Sequence, residues 1–132
     1  MQGLPSTSDT PFVRTDFSNE LVWREIVEAV GRESPEGFRA YISIIDDAGF
    51  SGAKASDLAA DAKAHRLLLV ADATTMSHDE RPILCIDLTS HDSIRVIPSR
   101  LWSIENNLSI ANLDFEDFTE SAGGDGIFRG FD

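Results

Sequence analysis

The sequence predicts an α/β fold: a mixed, mainly parallel sheet of about five strands with helices on both faces. Three observations carry this. Over the first seventy residues, short β-branched or apolar runs alternate with segments of helical period, the pattern of right-handed β-α-β crossovers. In the run Arg66-Leu67-Leu68-Leu69-Val70-Ala71 the five residues after Arg66 are apolar without alternation, as in a central strand covered on both faces. Two later strands are separated only by Thr89-Ser90-His91-Asp92, a span short enough for a hairpin, so at least one strand runs antiparallel.

Residues 1–10 are polar and are expected to be flexible. Phe12-Val13-Arg14-Thr15 reads as a short strand. Asp16 and Ser18 are candidate N-caps for the helix that follows, whose Val22, Trp23, Ile26, Val27 and Val30 share one stripe and which Gly31 can stop. Ser34-Pro35-Glu36-Gly37 has turn composition. Phe38 to Ile45 reads as a second strand, nearly continuous in Tyr41, Ile42, Ile44 and Ile45 and so expected to be covered on both faces. A short Ala-rich helix is expected over Ala55 to Ala64, and Asp72 to Pro82 reads as a connection. Ile83 to Leu88 and Ser93 to Ile97 form the hairpin. Residues 99–132 are a helical C-terminal region with a returning tail. Asp114 can cap Phe115 to Ser121 with Asp117 at the third helical position, Gly123-Gly124 stops that helix, and Ile127, Phe128 and Phe131 make the tail apolar enough to pack back. The strand-helix-strand-helix-strand-strand-strand-helices order, without repeat or linker, predicts a single domain over residues 1–132.

A chain of 132 residues with 42% hydrophobic content can bury one core without a metal or disulfide. Cys85, the lone cysteine, excludes an intramolecular disulfide and fits a reducing compartment. The opening MQGLPSTSDTP has neither a basic nor an apolar signal region, and no apolar run approaches the ~18 residues of a membrane helix. A cytoplasmic location is therefore expected. The net charge of −12 is unevenly placed: −5 over residues 1–50, −2 over 51–98 and −5 over 99–132. Such a field opposes nucleic acid and anionic membrane and speeds association with a basic partner.

Few residues carry recognisable chemistry. Cys85 is flanked by Ile83, Leu84 and Ile86, a setting for a buried structural thiol rather than a thiolate. His65, His78 and His91 have no metal-ligand spacing. There is no nucleophile elbow, phosphate loop, dinucleotide fingerprint or CxxC pair, so neither a cofactor nor catalytic residues are expected. Two groups remain. Asp16, Asp46, Asp47 and Asp72 each follow a strand, so a parallel sheet gathers them at its carboxyl edge, where open α/β sheets take ligands and clustered carboxylates bind divalent cations. The same residues serve as ordinary caps and turn formers. The second group is on the last segment: Trp102 as an apolar anchor, with Glu105, Asn106, Asn107, Asn112 and Asp117 as polar neighbours. Asparagines in a helix also compete for backbone groups, which offers a structural reading of the same residues.

Phe12-Val13-Arg14-Thr15-Asp16-Phe17-Ser18, Gly37-Phe38-Arg39-Ala40-Tyr41, the stretch from Glu105 to Phe115 (ENNLSIANLDF) and Gly126-Ile127-Phe128-Arg129-Gly130-Phe131 together resemble an uncharacterised family of small bacterial proteins, a domain of unknown function. The resemblance spans nearly the whole chain and implies a bacterial single-domain protein; it implies no activity, substrate or site residue. The expectation from the residues themselves is a small acidic, non-catalytic protein-binding module, such as an immunity or inhibitor-type protein for a basic partner. The alternative is a small-ligand or divalent-metal binding protein or enzyme using the four carboxyl-edge aspartates. Self-association through Trp102 and the Phe-rich tail is a third possibility.

Overall fold

The computed structural model describes residues 3–62, 64–109 and 113–131. In chain order the elements are β1 (Thr10–Arg14), α1 (Glu20–Gly31), β2 (Ile42–Ile45), a 3-10 turn (Ala48–Phe50), α2 (Ala55–Asp61), β3 (Leu67–Ala71), α3 (Ala73–Ser77), β4 (Ile83–Asp87), β5 (Ser93–Val96), a second 3-10 turn (Pro98–Arg100), α4 (Leu101–Ser109), α5 (Phe115–Ser121) and β6 (Ile127–Phe128). The strands form one six-stranded sheet in the order β2-β1-β3-β4-β5-β6. β1 is parallel to β2 and β3, β4 is antiparallel to β3 and β5, and β6 is parallel to β5. The sheet is thus mixed rather than mainly parallel, and has six strands rather than five. The extra strand is the apolar tail: Ile127 and Phe128 pair with Arg95 and Val96 instead of merely covering the core.

Two apolar layers sandwich the sheet. The larger joins Phe12, Leu67, Leu69, Ile83, Cys85 and Val96 to Trp23, Ile26 and Val30 of α1, Leu101, Ile104 and Leu108 of α4, and Phe115 and Phe118 of α5. The smaller joins Val13, Ile45, Leu68, Val70 and Ile86 to Phe50, Leu58 and Ala62. The alternation of β3 between these two lists explains its uninterrupted apolar run: each successive side chain enters a different layer.

Several elements differ from the sequence reading, each for a local reason. Asn19, not Asp16 or Ser18, caps α1, its side chain accepting from the Val22 N–H at 3.1 Å. Asp16 is instead the acceptor for the Ser18 amide. The second strand starts at Ile42 rather than Phe38 and lies at the edge of the sheet; Ile42 packs against the larger layer and Ile45 enters the smaller one, so both faces are covered in part, while Ile44 is 42% exposed. The Asp72–Pro82 connection contains α3, closed by reciprocal bonds between Asp72 and Thr75. Residues 3–9 have no helix or strand, yet the Leu4 N–H donates to Asp61 at 2.9 Å and Thr7 Oγ1 lies 3.2 Å from His65 Nε2. Among the described residues no helix is long and apolar enough to cross a membrane.

Candidate functional site

The starts of β1, β2 and β3 lie along one edge of the sheet, and α4 passes beside them. Between them opens a cleft of about 780 Å³. Ser8, Asp9 and Thr10 lead into β1; Phe38 and Tyr41 lead into β2; Ala64, His65 and Arg66 lead into β3; α4 supplies Trp102, Glu105, Asn106 and Asn107.

Local structure places each aromatic. The turn before β2 closes with the Gly37 N–H donating to Ser34 O at 2.9 Å, and Gly37 has φ +90°, a conformation that side-chain-bearing residues rarely adopt. The Phe38 N–H then donates to Ser34 Oγ at 3.0 Å, and Phe38 O accepts from the Ser34 N–H at 2.7 Å. So held, Phe38 stacks on Trp102, ring centroids 5.3 Å apart and 13° from parallel. Phe38 is nonetheless 50% exposed and Tyr41 58% exposed. The Arg39 guanidinium lies 5.7 Å from the centroid of the Tyr41 ring.

Glu105 fixes the floor. It is only 2% exposed, and its carboxylate accepts from the Tyr41 N–H at 2.7 Å, from Thr10 Oγ1 at 3.2 Å and from Asn106 Nδ2 at 3.1 Å. One side chain therefore ties α4 to the first residue of β1 and to the residue before β2. Losing such an acceptor would leave buried donors unpaired, which costs more than the net value of each bond. Asn106 Nδ2 also donates to Arg39 O at 2.8 Å, and Asn107 Nδ2 donates to Ser103 O at 2.7 Å. The amides thus perform the structural work that asparagines in a helix can perform, while still bordering the cleft.

Four of the six residues expected on the last segment therefore meet at one cleft: Trp102, Glu105, Asn106 and Asn107. Asn112 lies outside the described residues. Asp117 does not reach the cleft; it is exposed on α5, where its carboxylate accepts from the Asp114 N–H at 2.9 Å. The sequence reading missed Phe38 and Tyr41, because apolar residues running into a strand look like core.

The four carboxyl-edge aspartates follow β1, β2 and β3 at the opposite edge. Asp46 accepts from Arg14 Nη1 at 3.1 Å and from the Trp23 indole N–H at 3.2 Å. Arg14, 3% exposed, also reaches Glu20 at 2.9 Å and packs its guanidinium 4.3 Å from the Phe17 ring centroid. Asp47 caps the first 3-10 turn, and Asp16 holds Ser18. Asp72 is gripped by both Nη atoms of Arg95, at 2.9 and 2.8 Å. Among the described residues no group of three or more His, Cys, Asp or Glu is arranged to hold a metal ion. Cys85 is buried, and burial pushes its thiol well above the usual range, which removes it as a nucleophile.

The ion pairs make an acid response testable. Burial raises the Asp72 carboxyl, but hydrogen bonds from Arg95 and Thr75 and the charge of Arg95 outweigh it and hold the group below the usual carboxylate range. Asp87 is likewise raised by burial and lowered further by Arg66, the Thr89 N–H and Ser90. Arg129 lowers Glu80 and Asp125. Carboxyls depressed in the folded state add stability that is complete above their unfolded pKa, about 4, and disappears as pH falls through the folded values. The melting temperature is expected to hold steady from neutrality to about pH 5 and to fall steeply below about 4. Asp72→Asn should flatten part of that fall; a melting temperature independent of pH down to about 3 would contradict these pairings.

A family model described as "Domain of unknown function (DUF6924)" matches residues 9–131, and the chain belongs to that family. No curated protein matches the chain.

Proposed function

We propose that this member of the family is a non-catalytic binding module that docks a basic protein partner on the amino-edge cleft, in the manner of an immunity or inhibitor-type protein. The supporting observation is the half-exposed Phe38–Trp102 stack beside Tyr41 in a cleft rimmed by Asp9. Burying exposed aromatics against a partner is a strong source of interface energy, and Trp and Tyr are the residues that most often carry it. A Lys or Arg over these rings adds about 0.5–2 kcal/mol. The net charge of −12 supplies long-range attraction for such a partner and repels nucleic acid and anionic lipid. The carboxyl-edge aspartates support the alternative less well, since arginines and backbone amides already take up their acceptor capacity.

The test is capture of partners from native lysate by the full chain, run beside Trp102→Ala. A basic protein should be retained at low salt and released as salt rises. Trp102→Ala should weaken it by about 2 kcal/mol or more, roughly thirtyfold, as truncation of an interface tryptophan does. Capture of no basic partner, or equal capture by Trp102→Ala, overturns the reading.

A further inference from the structure

The two edges of the sheet are defended differently. β6 is two residues long and leads into Arg129, which is paired with both Glu80 and Asp125. β2 is short, but no charge or proline interrupts its four residues, Ile42-Ser43-Ile44-Ile45, and it lies outermost in the sheet. Natural proteins protect such an edge with lysine, proline, a bulge or brevity, because its unpaired N–H and C=O groups template another strand.

The orientation of the backbone follows from the register. Tyr41 O accepts from the Thr10 N–H at 3.3 Å, so Tyr41 and, by alternation, Ser43 and Ile45 turn their peptide groups toward β1. Ile42 and Ile44 turn theirs outward. Their side chains face α1 and line a groove of about 230 Å³ with Val27 and Val30.

We propose that this edge pairs with a second copy of the chain, β2 against β2 about a two-fold axis, to continue one sheet through both molecules. With Ser43 on the axis, Ile42 stands opposite Ile44 of the second copy, and the reverse, with reciprocal backbone hydrogen bonds at both pairs. The same register sets Tyr41 opposite Ile45 and Arg39 opposite Asp47. Arg39 and Asp47 flank β2, are both exposed and of opposite sign, and with Asp47 keeping its bond to the Gly49 N–H the two-fold axis brings the two charges near each other twice. The neighbouring registers that also align outward-facing peptides set Ile42 or Ile44 against itself and lose this match. Charge complementarity thus selects a second copy in one register.

The pairing has a salt signature opposite to that of a basic partner. Two chains of −12 repel, so screening should strengthen the dimer, whereas it weakens docking of a basic protein. Sedimentation velocity of the full chain is expected to show a concentration-dependent dimer that gains population as salt rises. Hydrogen exchange should show the Ile42 and Ile44 amides protected in the dimer and fast in dilute protein. Ile44→Lys, at a half-exposed position, should abolish the dimer while the monomer stays folded with a cooperative melt; Arg39→Glu should weaken it. A parent that stays monomeric at all concentrations and salts overturns the proposal. So does a dimer that survives Ile44→Lys, or one in which the Ile42 and Ile44 amides exchange as in the monomer.

Discussion

Phe118→Ala is expected to destabilise the protein by about 3–5 kcal/mol, and Phe128→Ala by a similar amount. Both rings are fully buried, one on α5 and one on β6, and they meet edge to face with centroids 5.1 Å apart. Phe131 closes the group, 5.1 Å from Phe118 and 4.9 Å from Phe128. Truncating either ring loses its transfer energy and leaves a cavity that two neighbouring aromatics cannot collapse into. Because the two rings touch, the double variant should cost less than the sum of the single ones. Chemical denaturation with both single variants and the double one checks this. Near-neutral single variants would contradict docking of the tail, and with it of β6, on the core.

Glu105→Ala is expected to cost about 2–3 kcal/mol and to distort the cleft as well. The substitution removes the acceptor for the Tyr41 N–H and for Thr10 Oγ1 in a place that water does not reach freely. Leaving a buried donor unpaired costs more than the net value of the hydrogen bond itself. Glu105→Gln keeps one carbonyl acceptor and should recover part of the loss. If Glu105→Ala melts like the parent, the carboxylate is not what joins α4 to β1 and β2.

Much of the fold was legible where local chemistry and tertiary context agree. The apolar run of β3 does mark a strand covered on both faces. The hairpin link Thr89-Ser90-His91-Asp92 does join antiparallel strands, with His91 at φ +66° and the Asp87 carboxylate accepting from the Thr89 N–H and Ser90 Oγ. Asp114 does precede α5, with Asp117 closing the first turn. Errors came where a residue's partner lies far along the chain. Phe38 and Tyr41 look like strand core until Trp102 and Glu105, some sixty residues later, arrive beside them and leave their outer faces open. Ile44 looks buried because hydrophobicity does not report where the sheet ends, and at that edge 42% of the residue stays exposed. α3 was hidden because Thr74 and Thr75 are poor helix formers; its signal was the spacing of Asp72 and Thr75, each of which bonds the other's backbone. For the site, composition pointed to the segment from Trp102 to Asn107 but not to the cleft, since that depends on where three strand starts converge.

The most direct test of the binding account uses the two tryptophans as opposed reporters. The Trp102 indole borders the amino-edge cleft, whereas the Trp23 indole donates to Asp46 at the carboxyl edge of the same sheet. Titrating ¹⁵N-labelled chain with the captured basic partner should shift or broaden the Trp102 indole signal and leave that of Trp23 in place. A Trp23 signal that moves while Trp102 stays unchanged would put the contact on the aspartate edge and contradict the account.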